Sequence, residues 1–262
     1  KNEMLYFRKG GNKLNKWILI ILLAFCYSIY CYVENEKEIS VAVIDSGLND
    51  SKLKEKYTIL NFSSENIKID NHNHGTAISH LVADNKVKAN YFHIKVLNKD
   101  GETTYREFEK AIDWCLYNKV DIINISFGFS KYDVKLSNKI DALIESGTII
   151  IASSGNNFGG KSDFPAIKEN VVSVGGLDKR FHLSDFSSSG KIDVYNLSEN
   201  IESINNKGNR AIFSGNSFAT ALTPNEIIKM KGLYRNVNSK NLKSYTNDYS
   251  DIKISTNRGE QN

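Results

Sequence analysis

Three polar residues that could act together in nucleophilic catalysis lie far apart in this 262-residue chain: Asp45, His74 and Ser217. A serine hydroxyl becomes an effective nucleophile when a neutral imidazole takes its proton, and a carboxylate beside the imidazole fixes its tautomer. Ser217 follows Gly215 and precedes a short apolar run. It is therefore predicted to lie at a helix start, where free N–H groups favour negative charge. Alone, this stretch fits an ordinary helix N-cap equally well.

The elements that must position these residues alternate between buried strands and amphipathic helices. The pattern predicts strands at residues 39–44, 57–62, 91–97, 120–127, 148–154 and 170–175, and helices at 74–83, 105–117 and 135–146. Such alternation is typical of an α/β fold with a doubly wound, mostly parallel sheet between helical layers. Functional groups in these sheets collect at the carboxyl ends of strands. Asp45 and Asn156 follow predicted strands, and His74 and Ser217 open predicted helices.

Four short blocks of the sequence resemble the signature blocks of the subtilisin-like serine proteases, in the order Asp, His, Ser. They are Val43-Ile44-Asp45-Ser46-Gly47, His74-Gly75-Thr76, Ser153-Ser154-Gly155-Asn156 and Gly215-Asn216-Ser217-Phe218-Ala219. The resemblance implies a serine endopeptidase that acts on peptide or protein substrates and needs no cofactor. In that family Asp45 would orient His74, His74 would be general base and then acid, and Ser217 would be the nucleophile. The Asn156 side chain and the Ser217 N–H would bind the oxyanion.

The same resemblance implies which residues contact the substrate. The backbone of Ser126, Phe127 and Gly128 would pair with an extended peptide, and Ser154 and Gly155 would lie beside it. Asp163, just before Phe164-Pro165, would line the pocket for the side chain that precedes the cut bond, and there it would favour Arg or Lys. The alternative for Asp163 is a solvated loop aspartate. Basic specificity and a surface anchor together resemble the proteases that remove leader peptides from lantibiotic precursors.

Departures from the family pattern begin behind the nucleophile. The apolar run that follows Ser217 stops at Leu222, and Thr223-Pro224-Asn225-Glu226 is predicted to cap a separate final helix over residues 225–234. About a dozen residues of buried helix would then be missing. This motivates an alternative function, a catalytically impaired peptide-binding protein of the same fold. The calcium-binding insertion of the family also looks absent, and no metal site is expected.

Composition excludes several other classes. The net charge of +4 is modest and the lysines are dispersed, so a nucleic-acid partner is not indicated. Three cysteines in helical or apolar segments give no disulfide framework. A nucleotide-binding fold is not favoured, because the first strand leads into Asp45-Ser46-Gly47 rather than a glycine-rich phosphate loop.

The amino-terminal part of the chain has the pattern of a membrane anchor. Residues 17–33 carry no charge, basic residues precede them and acidic residues follow. The positive-inside rule then predicts a cytoplasmic segment at 1–16, a single span at 17–33 and a linker at 34–38. The catalytic domain at 39–236, followed by a polar tail at 237–262, would lie outside the cell. A cleaved signal peptide is the alternative, and the few residues between 33 and 39 leave no room for a propeptide.

Overall fold

The computed structural model describes residues 18–28, 38–84, 88–234 and 236–242. The chain divides into two units, Lys1–Glu38 and Ile39–Asn262. In the first unit the described residues 18–28 form helix α1, whose large apolar side chains are exposed. Among the described residues, no helix combines the length and apolar character needed to cross a bilayer. The predicted anchor at 17–33 lies partly outside the described residues.

The second unit is built on a seven-stranded sheet in which every neighbouring pair of strands is parallel. Its strands in chain order are β1 (Ile39–Asp45), β2 (Tyr57–Asn61), β3 (Ala89–Lys95), β4 (Ile122–Ile125), β5 (Ile149–Ser153), β6 (Val172–Leu177) and β7 (Val194–Leu197). In space the order is β2-β3-β1-β4-β5-β6-β7, so β1 is a central strand. The α/β fold with a mostly parallel sheet is confirmed; β7 was not predicted.

Helices cover both faces of this sheet because successive residues of a strand point to opposite sides. The described part of this unit contains four helices: α2 (Gly75–Ala83), α3 (Tyr105–Tyr117), α4 (Val134–Glu145) and α5 (Asn216–Leu233). Val41 and Val43 pack on the side of α2 and α5, whereas Ala42 and Ile44 pack on the side of α3 and α4. The buried runs predicted from the sequence are therefore strands covered on both faces.

Helix α5 continues through Pro224, so the prediction of a separate helix at 225–234 is wrong. A proline removes one backbone hydrogen bond from the helix interior, at a cost of roughly 3 kcal/mol. Downstream residues that include Ile227, Ile228 and Met230 are buried in the core, and their burial favours continuation of the helix. The helix behind Ser217 is 18 residues long. The expected loss of packing behind the nucleophile is thus also wrong.

A β-hairpin that the sequence analysis missed lies beside the helix α2 region. Its strands are β8 (Ile201–Ile204) and β9 (Arg210–Phe213), which pair antiparallel. Asn206 at its tip donates from its backbone N–H to the Asn73 side chain at 2.8 Å and from its amide to the Asp70 carbonyl at 3.0 Å. The hairpin therefore holds the loop that precedes His74.

The core extends slightly beyond the predicted domain end at 236. Val237 and Leu242 are buried in the same cluster as α5, so the first residues of the predicted polar tail belong to the folded domain. Residues 243–262 of that tail lie outside the described residues.

Candidate active site

Asp45 and His74 are joined directly by the fold. Asp45 is the last residue of β1 and is fully buried, while His74 immediately precedes α2 and its side chain remains 19% exposed. His74 Nδ1 lies 2.8 Å from Asp45 Oδ1, which also accepts the Ser46 N–H at 2.8 Å. Asp45 Oδ2 is buried and has no hydrogen-bond partner among the described residues. With Nδ1 engaged in this way, Nε2 is the nitrogen left for a proton transfer.

The two groups shift each other's acidity in opposite directions. Burial alone would raise the pKa of Asp45, but the charge and hydrogen bond of His74 outweigh it and hold the pKa below its ordinary value. Burial alone would lower the pKa of His74, but the charge and hydrogen bond of Asp45 raise it above the ordinary imidazole value. The negative charge of Asp45 therefore stabilises the protonated form of His74. This is the form that a general base reaches after it has accepted a proton.

Asp70 organises the loop that presents His74. Its buried carboxylate accepts hydrogen bonds from the backbone N–H groups of His72, Asn73 and Thr76, at 3.1, 2.9 and 2.9 Å. It also accepts the Ser46 hydroxyl at 2.8 Å, which links it to the loop that follows Asp45. Asp70 was not among the site residues predicted from the sequence. An acidic residue a few positions before a helix start was the available signal, since such residues bind the free N–H groups of the first turn.

Ser217 lies in the first turn of α5, two residues after the positive-φ N-cap residue Gly215. Its hydroxyl donates to the Ser126 carbonyl at 2.7 Å, and the Ser126 hydroxyl donates to the Ser217 carbonyl at 3.1 Å. The His74 ring packs edge-on against Phe218, with 5.6 Å between ring centroids. The residue after Ser217 thus contacts the His74 ring, while the Ser217 hydroxyl itself is hydrogen-bonded to Ser126.

Asn156 is held so that its amide group is available to a ligand. Its Oδ1 accepts the Asn216 N–H at 3.0 Å, and because a backbone N–H can only donate, this contact fixes which end of the amide is oxygen. The Asn156 side chain is exposed, so its NH₂ faces solvent. The Ser217 N–H, in the first helical turn, has no partner within the helix. These two donors could together bind an oxyanion.

Asp163 lies between the two backbone segments predicted to contact substrate. A Cβ atom added to Gly128 would lie 2.5 Å from the Asp163 Cβ, and one added to Gly155 would lie 2.3 Å from Asp163 Oδ2. The Asp163 N–H donates to the Ser154 carbonyl at 3.0 Å. Ser126 is buried, and Phe127 is partly buried in the aromatic cluster beneath. The structure therefore places Asp163 in contact with both predicted substrate segments, with its carboxylate beside Gly155.

The Asp163 carboxylate is half-buried and has no cation beside it in the described part of the chain. Burial raises its pKa, and a hydrogen bond from Asn157 at 3.1 Å partly opposes this. As for metals, no group of three or more His, Cys, Asp or Glu residues in residues 18–28, 38–84, 88–234 and 236–242 is arranged to hold an ion.

Comparisons with known proteins agree with this geometry. The sequence profile of the subtilase family matches residues 36–258. Over 167 residues the chain is 30% identical to subtilisin DY of Bacillus licheniformis, covering 58% of this chain and 61% of that protein. Over 204 residues it is 28% identical to subtilisin E of Bacillus subtilis (strain 168), covering 70% and 52%. The chain thus matches between half and two thirds of the length of these relatives.

Among solved structures, a cold-adapted subtilisin-like serine proteinase superposes with a TM-score of 0.74 over 86% of both chains, at 23% identity. At that identity the superposition supports the fold. The assignment of each site residue remains a prediction from the sequence, to which the structure adds the distances above.

Proposed function

Because this chain belongs to the subtilase family, we propose that it is a serine endopeptidase whose catalytic residues are Asp45, His74 and Ser217. The observation that carries the proposal is the 2.8 Å contact between a buried Asp45 and His74, whose ring packs against Phe218, the residue after Ser217. A buried carboxylate that orients an imidazole beside a helix-start serine is the arrangement needed for acyl transfer.

In the proposed reaction Ser217 Oγ attacks the peptide carbonyl carbon while its proton passes to His74 Nε2. The carbonyl oxygen becomes an oxyanion, which accepts hydrogen bonds from the Asn156 amide and the Ser217 N–H. His74 then gives the proton to the leaving amine as the C–N bond breaks. In the second half of the reaction His74 takes a proton from water, which attacks the carbonyl carbon of the acyl-enzyme. The ester bond to Ser217 then breaks, His74 returns the proton to Ser217 Oγ, and the acid is released.

A fluorophosphonate probe followed by peptide mapping tests this proposal directly. We expect covalent labelling of Ser217 in the folded wild type and none in Ser217→Ala. Ser214→Ala is the matched control, because Ser214 is an exposed serine three positions earlier and its loss should leave labelling intact. Absence of labelling in folded wild-type protein would overturn the proposal in favour of a peptide-binding protein that has lost catalysis.

Replacing Asn156 by alanine is expected to lower kcat by about 10²–10³-fold with little change in KM, the range found when one such donor is removed from subtilisin. The reason is that Asn156 binds the oxyanion, which exists only in the transition state and intermediate. Asn156→Asp is the matched variant. It keeps the acceptor for the Asn216 N–H but has no NH₂ to donate, so it should lose at least as much. Steady-state kinetics that place the loss in KM would contradict this role.

We propose that cleavage follows Arg or Lys, because Asp163 is a partly buried carboxylate beside both proposed substrate segments, and no cation of the described residues lies next to it. Asp163→Asn should lower kcat/KM for Arg substrates by about tenfold or more, since a charged hydrogen bond worth ~1.5–3 kcal/mol becomes a neutral one. Leu and Phe substrates should change little. A peptide library varied at the position before the cut bond measures both profiles.

The control for this specificity is Asp185→Asn, which removes a carboxylate from an exposed position. It should leave the preference unchanged. A wild type that prefers Phe or Leu, or an unchanged profile in Asp163→Asn, would reduce Asp163 to a loop residue.

We further propose that residues 17–33 anchor the protein in the membrane with the catalytic domain outside, and that its substrates are leader peptides of secreted peptide precursors. Support for the anchor comes from the charge asymmetry around the uncharged segment and from the exposed apolar side chains of α1. Protease shaving of intact cells tests the topology: a domain digested only after lysis would reverse it. Incubation with a precursor peptide that carries Arg at the leader junction tests the substrate.

A further inference from the structure

His93 lies beneath the catalytic pair and is used by none of the steps above. It is the fifth residue of β3 and lies opposite Val43 in the register with β1, on the sheet face covered by α2 and α5. Its side chain is fully buried. In sequence it has no motif around it, and it was not among the site residues predicted from the sequence.

The two ring nitrogens of His93 hold two different elements. The Gly47 N–H donates to Nε2 at 3.1 Å, and Nδ1 lies 2.8 Å from the Ser79 hydroxyl oxygen. Because a backbone N–H can only donate, Nε2 must be the unprotonated nitrogen, and Nδ1 then carries the hydrogen and donates to Ser79. One neutral tautomer therefore satisfies both contacts at once.

Both contacts end beside catalytic residues. Gly47 is two positions after Asp45, and Ser79 belongs to the helix that His74 precedes. Between them the ring leaves no spare room, because a Cβ atom on Gly75 would lie 3.0 Å from the His93 ring carbon Cε1. The imidazole therefore bridges the loop that carries the carboxylate and the helix that carries the base.

We propose that His93 is a positioning residue: its Nε2 accepts the Gly47 N–H and thereby fixes Asp45 at hydrogen-bonding distance from His74. This inference rests on the proposed function for its kinetic readout and on the structure alone for its spectroscopic one. A shift of about 1 Å in a catalytic group can cost ~10²-fold in rate. Loss of the bridge should therefore appear mainly in kcat.

The electrostatic environment of His93 keeps its contacts to Gly47 and Ser79 intact near neutral pH. Burial lowers the pKa of His93 to about 4, which outweighs the opposite effect of the facing carboxylates Asp45 and Asp70; the facing cation Lys95 and the imidazole of His74 lower it further. The ring is thus neutral near neutral pH, and Nε2 stays an acceptor.

Two substitutions separate the two ends of the bridge. The terminal atoms of glutamine occupy the place of Nε2, so His93→Gln can still accept the Gly47 N–H. Those of asparagine occupy the place of Nδ1, so His93→Asn keeps only the contact to Ser79. We expect His93→Asn to lower kcat by ~10–100-fold at nearly constant KM, and His93→Gln to stay within about threefold of wild type. His80→Gln is the matched control, since His80 lies on α2, as Ser79 does, but contacts Ser203 instead of His93.

A proton NMR measurement tests the same bridge without relying on activity. The far-downfield signal of the Asp45–His74 hydrogen bond, identified by its loss in Asp45→Ala, should persist in wild type and His93→Gln and disappear in His93→Asn. Nitrogen chemical shifts of wild-type protein should show His93 protonated on Nδ1, which requires no variant to fold. An Nε2–H tautomer would overturn the proposal.

The remaining outcomes are equally decisive. Equal kcat values for His93→Asn and His93→Gln, or lowered melting temperatures with unchanged kcat in both, would make His93 a purely structural residue. If the wild type cleaves no peptide, the proposed function fails. The downfield proton signal and the His93 tautomer then still decide whether His93 positions Asp45 against His74.

Discussion

Replacing Ser217 or His74 by alanine is expected to abolish measurable peptide hydrolysis, with a fall in kcat of about 10⁶-fold for either change, the scale seen in subtilisin. Ser217→Ala removes the atom that attacks the carbonyl, and His74→Ala removes the group that takes its proton. Binding should survive, because neither side chain belongs to the backbone segments at Ser126–Gly128 that are proposed to hold the substrate. Active-site titration together with a peptide-binding assay measures the two properties separately.

The double variant should be no worse than either single one. The nucleophile and its base act as one unit, so loss of either residue removes the contribution of both to the rate. Ser217→Ala combined with His74→Ala should therefore retain the same residual rate, which comes from the oxyanion donors. A double variant whose activity falls far below both singles would show that the two residues contribute independently, and a shared triad would then be wrong.

Changing Asp45 to asparagine is the second large effect, with an expected loss in kcat of about 10⁴-fold, as for the aspartate of a known serine protease triad. The amide keeps the size of the carboxylate but presents an N–H or an uncharged oxygen to His74 Nδ1. The imidazole then adopts the wrong tautomer or loses the charge that stabilises its protonated form. Kinetics on a fast ester and on a peptide give the loss for both substrates.

The pH dependence of the residual activity gives this prediction a second readout. Burial lowers the pKa of His74, whereas Asp45 raises it above the ordinary value, and the second effect wins in the wild type. The base must be neutral to act, so kcat/KM rises with pH through that pKa. Without the negative charge of Asp45 the pKa falls, and the acid limb of the profile should move to lower pH. A limb that stays in place, with activity within tenfold of wild type, would show that Asp45 does not orient His74.

The order of strands and helices could be predicted because buried parallel strands leave a strong sequence signal. Uninterrupted runs such as Val41–Ile44 can only be covered on both faces, and α3 was predicted with the bounds it has, Tyr105–Tyr117. Where the prediction failed, tertiary contacts outweighed the local signal. At Pro224 the local rule predicts a new helix, yet burial of Ile227 and Ile228 continues the old one.

At the site, the sequence could identify residues that lie in recognisable blocks but not those that support them. Asp45, His74, Asn156 and Ser217 were found because their neighbours repeat a known pattern. His93 could not be found from sequence, since its role depends on the register that places β3 beside β1 and on the contact with Gly47. The β8–β9 hairpin left a weaker signal, because neither strand alternates apolar and polar residues, and only the turn composition of Asn205 to Gly208 indicates it.

The position of β1 in the middle of a fully parallel sheet also governs how this domain must fold. Both neighbours of β1 are distant in sequence: Gly47 and His93 meet across 46 residues, and Ser40 and Asp121 meet across 81. The entropy of closing such long loops is lost before any strand contact compensates for it, which makes the rate of folding low compared with that of small domains. During that delay β1 exposes an unpaired backbone edge flanked by two apolar faces. Refolding yield should therefore fall as protein concentration rises, because other chains reach that edge before its own partners do.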